Sequence, residues 1–138
     1  MLTLRRLAVP VLTAAALLTL TACGSDAAAT EATMATGEWL EGPMNSSMGS
    51  LTAAAGAASD HSTATTFVPA DCEALANAVD DARAQSLPSD AELAGHWGTF
   101  VDLFAAMGDA CQANEPATFL THMQEISLLL DAFEERIE

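Results

Sequence analysis

Residues 89–112 read SDAELAGHWGTFVDLFAAMGDACQ, and this stretch decides the fold. Leu93, Trp97, Phe100, Phe104, Met107 and Cys111 recur at alternating steps of four and three. That spacing places all six on one face of an α-helix, because 3.6 residues complete a turn. Ser89-Asp90-Ala91-Glu92 fits a capping box at its start. Gly95 and Gly98 weaken the first turns and predict a kink there.

The same reading extends in both directions. Downstream, Phe119, Met123, Ile126, Leu130, Phe133 and Ile137 repeat the pattern, with Glu115 and Pro116 in the first turn of a helix from about Asn114. Arg136 sits in its last turn, where a cation suits the helix dipole. Upstream, Cys72, Leu75, Val79, Ala82 and Ser86 form a third stripe from about Ala70 or Asp71, entered by Pro69 and closed by Leu87-Pro88. No segment alternates with the two-residue period of a strand. Three such stripes joined by short loops predict an all-α fold over 67–138, a small antiparallel three-helix bundle.

About 72 residues are close to the lower limit for a self-sufficient core. Cys72 and Cys111 both lie on core-facing stripes. If the Gly95–Gly98 region belongs to the turn, the two cysteines come level at one end of the bundle. A disulfide there closes a loop of about forty residues, worth roughly 4 kcal/mol in the chain-entropy account. Two buried free thiols and a redox pair are the rival readings. A redox pair usually stands as Cys-x-x-Cys near a helix start, and these two do not.

The chain opens with Arg5-Arg6, followed by the uncharged run LAVPVLTAAALLTLTA over 7–22. That run is short for a bilayer span and is interrupted by Pro10. A short apolar run behind two Arg and ending in small residues reads as a signal peptide, 1–22. Leu20-Thr21-Ala22-Cys23 then resembles the lipobox of bacterial lipoproteins. The resemblance covers residues 1–26. It implies cleavage before Cys23, a diacylglycerol on the Cys23 thiol, and anchoring on the extracytoplasmic face of the cell membrane. Two or three acyl chains are enough for stable anchoring.

Residues 23–66, between the lipobox and the helices, are rich in Ala, Thr, Ser and Gly and read as having no apolar periodicity. They read as a flexible, disordered tether, because such a composition buries too little surface to offset ordering entropy. One island interrupts it, Gly37-Glu38-Trp39-Leu40-Glu41-Gly42-Pro43-Met44. It reads as a recognition segment, as a flap that packs back on the domain, or as an accident of composition.

Charge narrows the function classes. The 138 residues carry 19 Asp and Glu against 4 Arg, a formal charge of −15. Loss of Arg5 and Arg6 with the signal takes it to −17. This excludes ordinary nucleic-acid binding, which needs cations to displace counterions from phosphate. It also opposes docking by charge onto anionic lipid, so the membrane contact rests on Cys23. The Ala-rich, Lys-free composition resembles that of a high-GC bacterium such as an actinomycete.

No catalytic constellation, metal set or cofactor motif stands out. His96 and His122 fall about 15 Å apart along the bundle axis. The acids form no calcium-loop spacing. The expected role is therefore a lipid-anchored binding or accessory module without catalysis. Leu120, Leu128 and Leu129 lie off the core stripe of the last helix and mark a candidate surface for an envelope partner. Two alternatives use other residues. Met34, Met44, Met48 and His61 carry thioether and imidazole groups suited to Cu(I). Trp97, Phe100, Phe104 and Phe133 could line a cavity for a small apolar ligand.

Overall fold

The computed structural model describes residues 33–63 and 65–137, with side chains described through residue 134. Cys23 and the whole signal segment lie outside the described residues. The unit is mostly helical and stapled by a disulfide, but it holds four helical rods, not three. The added rod comes from the stretch expected to be a tether. A two-residue strand β1 (Thr33–Met34) leads into α1 (Thr36–Trp39), a widened π turn (Leu40–Met44) and α2 (Asn45–Asp60), which follow without a break. Then come α3 (Pro69–Arg83), the two-residue strand β2 (Leu87–Pro88), α4 (Ala91–Gln112) and α5 (Pro116–Ile137).

The expectation of a flexible tether over 23–66 is thus corrected for Thr36–Asp60, and the folded unit begins well before residue 67. The reason is visible in the packing. Leu51, Ala55 and Ala58 are buried, and Met44 and Met48 lean on the same core. Together they run at steps of four, three, four and three. This is the heptad-like stripe of the other helices, written mostly in small side chains. Pro43 explains the π turn. It has no N–H to donate to the Trp39 carbonyl, and its ring would crowd that oxygen in a regular α-helix. Widening the turn lets the rod continue past it.

The rods pack in chain order, α2 on α3, α3 on α4, α4 on α5, with α4 also touching α2. Neighbours run in opposite directions. Cys72 near the start of α3 meets Cys111 at the end of α4, with Cα atoms 5.5 Å apart. His96 near the start of α4 faces Phe133 near the end of α5. Because α4 has partners on several sides, it buries Val101, Gly108 and Ala110 as well as its expected stripe. Cys72, Leu75, Val79 and Ala82 of the α3 stripe are buried, and α3 ends at Arg83, before Ser86; on α5 the stripe from Phe119 to Phe133 is buried or half-buried, with Phe119, Ile126 and Phe133 innermost.

The disulfide expected from the stripes is present and fully internal. Its geometry does not need a turn at Gly95–Gly98. Both glycines lie inside α4, which runs unbroken from Ala91. Instead α4 extends past the end of α3. Arg83 Nη2 donates to Asp102 Oδ1 at 2.9 Å, so the last residue of α3 stands level with the middle of α4. The segment from Ala91 to Val101, about three turns, projects beyond it.

Helix ends are closed by local chemistry. Asp90, not Ser89, caps α4, and its Oδ1 accepts from the N–H groups of Glu92 and Leu93, both at 2.9 Å. The Ser89 N–H is used elsewhere, donating to the Met34 carbonyl at 2.8 Å. At the other end of α4, Asn114 adopts φ 57°, a left-handed conformation. Its N–H donates to the Cys111 carbonyl, and the Glu115 N–H donates to that of Ala110. This is the double bond pattern of a Schellman closure, in which Asn takes the place Gly often fills. α5 then begins at Pro116, two residues later than the sequence suggests.

Candidate functional site

The chain enters the helical unit through a strap at one end of the rods. β1 pairs in parallel with β2, Thr33 opposite Leu87 and Met34 opposite Pro88. Pro88 is fully buried. Immediately after the strap, Trp39 is completely enclosed and meets Trp97 edge-on, with ring centroids 5.3 Å apart. Trp97 stacks on Phe100 at 5.5 Å, and Phe100 meets Phe104 at 5.0 Å. Trp39 thus ends a ladder of rings along the projecting half of α4. Of the three readings of the Trp39 island, packing back on the domain is the one realised.

Beside this ladder lies an open cleft of about 520 Å³. It exists because α3 stops at Arg83 while α4 continues. The chain from Ala84 to Leu87 crosses the gap, and small residues, Ala82, Ala94 and Gly98, leave room that larger ones would fill. Trp97 and Val101 lie beneath it, almost wholly buried, and Gln85, Ser86 and the Arg83–Asp102 pair form its polar edge. That pair is exposed on both sides, so it contributes at most about 1 kcal/mol to stability. Gly98 is exposed on this wall, and a Cβ built there meets nothing within 4 Å, as at every other described glycine except Gly108. Glycine inside a helix costs about 1 kcal/mol relative to alanine, and no close backbone approach calls for it here.

The cleft differs from the cavity suggested by the aromatic residues. Only Trp97 of that group lines it, while Phe100, Phe104 and Phe133 are packed into the core. Sequence reading missed the cleft because its signal is the coincidence of small residues on two helices, which has meaning only once their ends are aligned.

The α5 residues divide. Leu120 and Leu128 are 52% and 71% exposed, whereas Leu129 is half-buried against the core. Leu129 is thus the least accessible of the three. Leu120 and Leu128 stand about 12 Å apart along the helix axis. Val68 is the other exposed large apolar residue among those described.

The candidate copper ligands are not gathered. Met34 lies in the strap, Met44 and Met48 press on the core, and His61 Nδ1 pairs with Asp71 Oδ2 at 2.9 Å. Met44 and His61 are about 25 Å apart along one rod, so they cannot share one ion. Among the described residues no three His, Cys, Asp or Glu side chains converge as a metal set. His96 and His122 also go separate ways. His96 stands edge-on to Phe133, and His122 Nδ1 lies 2.9 Å from Glu125 Oε2.

No helix among the described residues is long and apolar enough to cross a membrane. The chain matches no known protein family, no curated protein and no solved structure.

Proposed function

We propose that this chain is a bacterial lipoprotein held on the extracytoplasmic face of the cell membrane through a lipid on Cys23, where its helical unit serves an envelope protein as a small, non-catalytic binding or accessory module. The observation that carries the location is the buried Cys72–Cys111 disulfide. Such bonds persist in oxidising compartments outside the cytosol. It agrees with the lipobox at Leu20–Cys23 without depending on it. The partner surface rests on Leu120 and Leu128, which α5 leaves uncovered while its other face packs on α4.

In-cell crosslinking of the full chain, followed by affinity capture, tests the partner. A single recurrent envelope protein, lost with Leu128→Asp, is expected. Capture unchanged by Leu128→Asp would remove α5 as the surface. Cys23→Ala tests the anchor separately and should move the protein from the membrane to the soluble fraction. Retention on the membrane by the variant would sink the lipid assignment.

A further inference from the structure

We infer that the segment from Thr33 to Met44 is a latch, closed by the Trp39 side chain and hinged at the π turn, that opens and recloses while the rods behind it stay folded. Trp39 is the one buried side chain between Thr33 and Met44, whereas each rod from α2 to α5 buries several. A segment held by so few buried groups opens at a lower free energy than the core it covers. Its polar ties to the rods are the two-residue pairing of β1 with β2, the Ser89 N–H donated to the Met34 carbonyl at 2.8 Å, and a long hydroxyl contact of 3.4 Å between Thr36 and Ser89. A two-stranded pairing is marginal by itself.

The plug itself is imperfect. Trp39 Nε1 is buried and meets no acceptor among the described residues. A buried donor without a partner penalises the closed form by its full desolvation, and water supplies the acceptor once the latch opens. Burial of the ring against Trp97 and its orphaned N–H thus pull in opposite directions. The hinge is in place as well. Regular helical bonding is already interrupted at Leu40–Met44, where Pro43 has no N–H to give. A bend there breaks less than one inside a continuous α-helix. The staple lies at the far end of the rods. Trp97 and Cys111 are about 21 Å apart along α4, so the disulfide still ties α3 to α4 when the latch is open. Opening uncovers the Trp97 ring and the side of β2 now paired with β1, and the latch controls exposure of that edge. The open form is a minor one, so unfolding by urea still follows the whole unit. The latch is separate from the α5 surface, and either assignment can fail without the other.

Hydrogen exchange of the full chain, read by mass spectrometry across low urea concentrations, tests the latch. Protection over 37–44 should be about a hundredfold lower than over 104–111 at the stapled end of α4. It should also respond only weakly to urea, because opening exposes little surface, while 104–111 responds steeply. Replacing Trp39 by benzothienylalanine, in which sulfur takes the place of the N–H, removes the orphaned donor and keeps the ring. Exchange over 37–44 should then slow about tenfold. Trp39→Ala should leave 37–44 unprotected and open Trp97, the other of the two tryptophans, to acrylamide quenching, with 104–111 still protected. Equal protection and equal urea response in the two segments would mean that the latch opens only with the whole unit, which overturns the proposal. So would loss of protection over 104–111 in Trp39→Ala. Unchanged exchange over 37–44 with benzothienylalanine would overturn the part given to the orphaned N–H.

Discussion

Leu51→Ala separates a packed first rod from a loose tether. Leu51 is 0% exposed and lies in the middle of the α2 stripe. Truncating a buried leucine removes its transfer free energy and leaves a cavity, at a cost of about 2–5 kcal/mol. The cost grows with the volume that fails to collapse. Leu51 sits among alanines on its own helix, Ala55 and Ala58, and α2 is an outer rod that can shift toward α3. Partial collapse is therefore open to it, and about 3 kcal/mol is the expected loss. With a urea dependence of about 1.5 kcal/mol per molar for a unit of this size, the midpoint should drop by about 2 M. Far-UV circular dichroism reports the rods, and tryptophan fluorescence reports the Trp39–Trp97 contact between the first rod and α4. The two transitions should coincide, since α2 belongs to the same core as α4. Leu128→Ala, at a 71% exposed position, is the control and should change stability by less than about 0.5 kcal/mol. A Leu51→Ala effect as small as that control would refute the packing of α2 described above.

Three further outcomes follow from the same structure. Cys72→Ala with Cys111→Ala opens a loop of sequence separation 39 and should cost about 4 kcal/mol, read as a fall in the midpoint of thermal unfolding; a loss under about 1 kcal/mol would show that the loop entropy is not what the bond supplies. Asn114→Ala should cost about 2 kcal/mol, from the left-handed φ of 57° and from the bond its Oδ1 accepts from the Phe67 N–H at 2.9 Å. Asn114→Gly keeps the conformation and loses only the bond, so it should cost about half as much; equal losses would discount the backbone term. Leu128→Asp should leave thermal unfolding unchanged while weakening partner capture, and unfolding of the isolated chain would place Leu128 in the core instead.

The sequence by itself determined three of the four rods and their staple. Large side chains made that legible. In α4 the step from Trp97 to Phe100 to Phe104 stands out from Thr99, Asp102 and the glycines around it, so the buried face can be drawn before any partner is known. Cys72 and Cys111 could be paired because each sat on such a face. The α2 stripe obeys the same period, yet Ala55 and Ala58 are set among Ala53, Ala54 and Ala57, and hydrophobicity cannot tell the buried alanines from the others. Thr, Ser and Gly further depress its intrinsic helix preference. Its order comes from burial against α3, a tertiary gain that no local count contains. The partial burial of Leu129 has a related reason, since its angle on α5 lies between core and solvent and the neighbouring rod decides the side. The cleft beside Gly98 depends on where α3 ends relative to α4. That offset is set jointly by the disulfide, the Arg83–Asp102 level and the strap, and only the assembled rods bring those three constraints together.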